Sequence, residues 1–93
     1  MNRGLPNNID AEKSLLGSLF WSKTSLQKGC EDVEPEYFYL ESNAKIFEVI
    51  KDLYNNHNPV DVNTVTTELV DRNLLNQVGG VEYLSEVINS VAT

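Results

Sequence analysis

One cysteine, one histidine and one tryptophan stand in a chain of 93 residues, and these scarcities remove whole classes of function. Cys30 has no partner within the chain, so an intrachain disulfide is excluded, and a lone thiol suits a reducing cytoplasm. It reads as a small buried hydrophobe rather than a nucleophile. His57 lies in the polar stretch Asn55-Asn56-His57-Asn58-Pro59, which makes it an exposed turn residue rather than a general base. One Cys and one His do not build a zinc site without carboxylates at suitable spacing. No run approaches the ~18 consecutive apolar residues that a transmembrane helix needs. The opening Met1-Asn2-Arg3-Gly4-Leu5-Pro6 lacks the charged-then-apolar layout of a signal peptide, and no Asn-x-Ser/Thr acceptor occurs. The expectation is a cytoplasmic domain without membrane contact.

Basic residues are also few. Seven Lys and Arg face fourteen Asp and Glu, a net charge of −7. Between Lys28 and Lys45 fall Glu31, Asp32, Glu34, Glu36 and Glu41, with no base among them. Nucleic-acid binding draws its affinity from Lys and Arg that displace counterions, so direct DNA binding is not expected. The acidic stretch itself reads as a solvated face.

Catalytic signatures are missing as well. Gly79-Gly80 runs into Val81-Glu82 and not into Lys-Ser or Lys-Thr, so it is no phosphate loop. Its expected role is a sharp turn before a helix. No G-x-S-x-G elbow supports a serine hydrolase. Paired acids such as Glu31-Asp32 have no apolar pocket or metal partner in the sequence. No enzyme and no bound cofactor are expected in these residues.

What the chain does hold is a 41% hydrophobic share arranged at helical spacing. Asn8 is placed to cap a first helix from about Ile9 to Phe20 or Trp21, with Asp10 and Glu12 in its first turn. Gly17 in mid-helix costs roughly 1 kcal/mol against Ala, a cost expected where another helix approaches closely. A short second helix spans about Thr24 to Cys30. Glu34-Pro35-Glu36 interrupts regular structure, and Tyr37-Phe38-Tyr39-Leu40 is expected to pack against the core as a turn. Ser42 is the expected cap of a third helix, whose stripe is Ile46, Phe47, Ile50, Leu53 and Tyr54. Asp61 caps a fourth, with Val62, Val65, Leu69 and Val70 assigned to its buried side; Val60 to Val65 also admits a strand reading. A last helix from Val81 carries Leu84, Val87, Ile88 and Val91. The fold expected is a compact, all-α orthogonal bundle of roughly five short helices in one domain over residues 1–93.

Four blocks in order carry a resemblance. They are Leu5-Pro6-Asn7-Asn8-Ile9-Asp10-Ala11-Glu12-Lys13-Ser14-Leu15-Leu16-Gly17-Ser18-Leu19, Glu34-Pro35-Glu36-Tyr37-Phe38-Tyr39 with Ile46-Phe47, Pro59-Val60-Asp61-Val62-Asn63-Thr64-Val65, and Val78-Gly79-Gly80-Val81-Glu82-Tyr83-Leu84. Together they resemble the N-terminal domain of DnaB-family replicative helicases. Ser42-Asn43-Ala44-Lys45 departs from the family, which often has a basic or histidine-containing pair there. The match makes Ala11 and Gly17 small residues at helix crossings.

The resemblance implies a place in the N-terminal collar of a hexameric helicase that unwinds DNA at the replication fork. Other helicase subunits, primase and a helicase loader are the implied partners. It also implies a following helical hairpin, a linker and a RecA-like ATPase, the part that binds ATP and Mg; none of these lies within residues 1–93. The helicase-binding domain of primase, or another small helical adaptor, is the alternative. Trp21, Tyr37, Phe38 and Tyr83 are the candidate contact residues.

Overall fold

Residues 8–91, the part that the computed structural model describes, contain five α-helices and one 3-10 turn. They are α1 (Ile9–Trp21), α2 (Lys23–Asp32), the 3-10 turn Pro35–Tyr37, α3 (Glu41–Asn55), α4 (Val62–Asp71) and α5 (Gly80–Ile88). No strand occurs among the described residues: Val60 and Asp61 precede α4, and Val62 to Val65 open it. The expected all-α bundle is the fold observed.

Local sequence explains most helix ends. The Asn8 side chain accepts a hydrogen bond from the Ala11 N–H at 3.0 Å. Ser22 separates α1 from α2 and caps the latter, accepting from the Ser25 N–H at 3.1 Å. Asp61 and Thr64 form a reciprocal capping box at the start of α4, with bonds of 2.8 and 2.9 Å. At the other ends, His57 and Asn73 adopt left-handed φ values of 61° and 60°. Each lets the following N–H reach back five residues, Asn58 to the Leu53 carbonyl and Leu74 to the Leu69 carbonyl. Gly79 repeats the motif at φ 112°, and a Cβ there would lie 2.6 Å from the Tyr83 Cβ.

α3 is the central element. Ile46, Phe47, Val49 and Ile50 are wholly buried, and Leu53 nearly so. It packs against α1, α2, α4 and the 3-10 turn, while α1 also packs against α5. Gly17 sits at that second contact. A Cβ on it would overlap the Val87 carbonyl oxygen and come within 2.8 Å of Val91, so the helix crossing requires a glycine.

Several expectations need correction. Ser42 does not cap α3: the N-cap is Leu40, which has no capping side chain, and the Tyr39 and Leu40 N–H groups leading into the helix bond to Glu12 of α1. The turn after Pro35 packs only through Phe38, whose ring lies 5.3 Å from that of Phe47; Tyr37 and Tyr39 point to solvent. Val62 and Val70 are exposed, because a ten-residue helix against one neighbour buries only the Val65–Leu69 step. Ala11 is exposed and marks no crossing. Val91 lies beyond the end of α5.

Candidate functional site

The four aromatic candidates do not converge. Trp21 ends α1, Tyr37 ends the 3-10 turn with Phe38 just after it, and Tyr83 lies on α5. Phe38 is core, closed over Phe47. Tyr37 is 69% exposed and makes no side-chain hydrogen bond among the described residues.

Tyr83 belongs to a polar chain that joins three helices. Its hydroxyl donates to the Asn43 Oδ1 at 2.6 Å, and the Asn43 Nδ2 donates to a Glu12 oxygen at 2.8 Å. Glu12 also accepts the Tyr39 N–H at 2.6 Å and the Leu40 N–H at 3.4 Å. A carboxylate on α1 thus ties down the backbone that leads into α3. Asn43 is completely buried, and its amide is satisfied on both sides. Desolvation holds the Tyr83 phenol above its usual range, opposed by Lys13 and by the bond to Asn43. Lys13 pairs with Glu86 on α5, which raises the ammonium above its usual range. Sequence reasoning missed Glu12 and Asn43 as a unit, because the pair is built across 31 residues of chain.

Trp21 is different in kind. The residue is 66% exposed, yet its Nε1–H donates to the Ile88 carbonyl, at the end of α5, at 2.9 Å. The indole is therefore fixed while its face stays open. Beside it runs an open groove of about 600 Å³, floored by Leu19, Phe20, Leu26, Tyr54 and Val60. Lys23, the first residue of α2, stands on its rim, and none of its lining residues is acidic.

Cys30 is buried, and desolvation raises its thiol above the usual range despite nearby Lys51. His57 is exposed in its left-handed turn. Among the described residues, no three His, Cys, Asp or Glu side chains gather as a metal site requires. Among the described residues, no helix is long and apolar enough to cross a membrane.

The described residues form a small all-α domain whose tryptophan is hydrogen-bonded yet open to solvent. Comparison identifies its family. The family model described as "DnaB-like helicase N terminal domain" matches residues 4–93, and the chain belongs to that family. It is 41% identical over 88 residues to the replicative DNA helicase DnaC of Bacillus subtilis, covering 95% of this chain and 19% of that protein. The replicative DNA helicase DnaB of Geobacillus stearothermophilus is 39% identical over the same shares. Among solved structures, the N-terminal domain of DnaB helicase from Mycobacterium tuberculosis superposes with a TM-score of 0.89 at 36% identity, covering 95% of this chain and 63% of that one. The chain thus spans about a fifth of the length of these helicases.

Proposed function

We propose that this chain serves a replicative DNA helicase as its N-terminal interaction domain, assembling with other subunits in the collar and docking primase. Family membership supports the helicase setting. The observation that carries the docking role is Trp21, an aromatic side chain already immobilised by its bond to Ile88 and still two-thirds open to solvent. Aromatic anchors dominate binding energies at protein interfaces, and an anchor ordered before contact loses little entropy on binding.

Unwinding, ATP and Mg belong in this reading to a separate motor domain, and these residues serve as a protein contact. The net charge of −7 argues against a grip on the DNA backbone by this domain itself. A helicase loader is a further partner compatible with such a surface. The reading places the protein in the cytoplasm, as the lone cysteine suggests.

Isothermal calorimetry of the chain against the helicase-binding domain of a bacterial primase tests the proposal. Saturable binding that weakens at least tenfold in Trp21→Ala supports it. Absence of binding at high micromolar concentration, from a folded chain, contradicts it.

A further inference from the structure

The groove beside Trp21 differs electrostatically from the rest of the molecule. The chain carries fourteen acidic residues, yet none lines this groove. Most described bases are neutralised: Lys13 by Asp10 and Glu86, Lys45 by Glu41, Lys51 by Glu34, and Arg72 by Asp52 and Glu68. Lys23 makes no such pair among the described residues. It opens α2, whose first turn holds no acid, so the positive end of that helix adds to its charge. An apolar floor therefore meets a positive rim on an otherwise acidic protein.

We infer that this groove receives an acidic–apolar segment of a partner protein: bulky aliphatic or aromatic side chains laid on Leu19, Phe20, Leu26 and Tyr54, with a carboxylate against Lys23 and the start of α2. The inference rests on the interaction-module reading and specifies the chemistry of one contact. The volume, about 600 Å³, falls within the ~300–1,000 Å³ usual for pockets that enclose bulky ligand groups. A carboxylate is the complementary charge for an unpaired lysine at a helix N-terminus. A lysine-rich segment would instead meet Lys23 with no carboxylate in the lining to offset it.

Trp21 is the only tryptophan, so its fluorescence reports on the groove directly. The probes are a capped amphipathic helical peptide with leucines on one face flanked by glutamates, and its counterpart with lysines in place of the glutamates. The glutamate peptide is expected to shift Trp21 emission saturably and to bind about tenfold more tightly than the lysine peptide. Lys23→Glu should abolish that preference without lowering the melting temperature, because an acid in the first turn suits the dipole of α2. Equal binding of both peptides, or a preference that survives Lys23→Glu, overturns the inference. So does an emission change that follows the chain's own concentration and ignores peptide, which would assign the groove to a second copy. Primase binding that persists while neither peptide binds would remove this inference and leave the proposed function standing.

Discussion

The Glu12 carboxylate of α1 accepts the Tyr39 N–H at 2.6 Å, so one helix holds the backbone that leads into another. The same carboxylate holds the buried Asn43 amide at 2.8 Å. Removing it leaves backbone donors at the start of α3 and one buried amide donor without partners. Glu12→Ala should lower the unfolding free energy by about 2–3 kcal/mol in urea titration. Ser42→Ala should change it by less than about 0.5 kcal/mol, since Ser42 is not the cap.

Replacing a mid-helix glycine by alanine ordinarily stabilises by about 1 kcal/mol. Gly17→Ala should do the reverse, because the new methyl would overlap the Val87 carbonyl and the Val91 side chain. A loss of about 2–3 kcal/mol is expected as α1 and α5 are forced apart. A gain in melting temperature would show that the crossing is looser than described here.

The left-handed turns offer a paired test. His57 bears the cost of φ 61° with a Cβ, so His57→Gly should stabilise by about 0.5–1 kcal/mol. Gly79→Ala combines φ 112° with a methyl 2.6 Å from the Tyr83 Cβ, and should cost about 2–3 kcal/mol. Chemical denaturation of both variants checks the opposite signs.

Alkaline pH should weaken the fold through Tyr83 and Lys13. Both groups bind their proton more tightly when folded, Tyr83 through desolvation and Lys13 through its bond to Glu86. A raised folded pKa gives stability that is complete below the unfolded value, about 10 for either group, and is lost as pH rises through the folded one. Melting temperature should therefore fall above pH ~10, less steeply in Tyr83→Phe and Lys13→Met. An unchanged alkaline slope in both variants would contradict the assignment.

What could be read in the sequence was local. Asn8 before Ile9, Asp61 three residues before Thr64, and Gly79 before α5 each announce a helix boundary within one turn of chain. Gly17 signalled a close approach without naming Val87 as the neighbour. Periodicity placed Ile46, Phe47, Ile50 and Leu53 in the core correctly. It overreached at Val62 and Val70, whose type says apolar while their position on α4 faces solvent. The Glu12–Asn43–Tyr83 chain was hidden because its members come from three helices and each alone resembles an ordinary surface residue. Tyr37 and Tyr39 could not be separated from Phe38 until the 3-10 turn fixed which of the three rings points inward. The groove was equally hidden, since Lys23, Tyr54 and Val60 meet only in three dimensions.

Titration of the isotopically labelled chain, followed by amide NMR, most directly separates a protein-docking domain from a nucleic-acid-binding one. Two titrants are compared at physiological salt: the helicase-binding domain of a bacterial primase, and a single-stranded oligonucleotide. The predicted result is saturable shifts with primase, centred on Trp21 and its neighbours, and none with the oligonucleotide. Saturable shifts with the oligonucleotide, or a primase titration that leaves every amide unmoved, would contradict the interaction-domain reading.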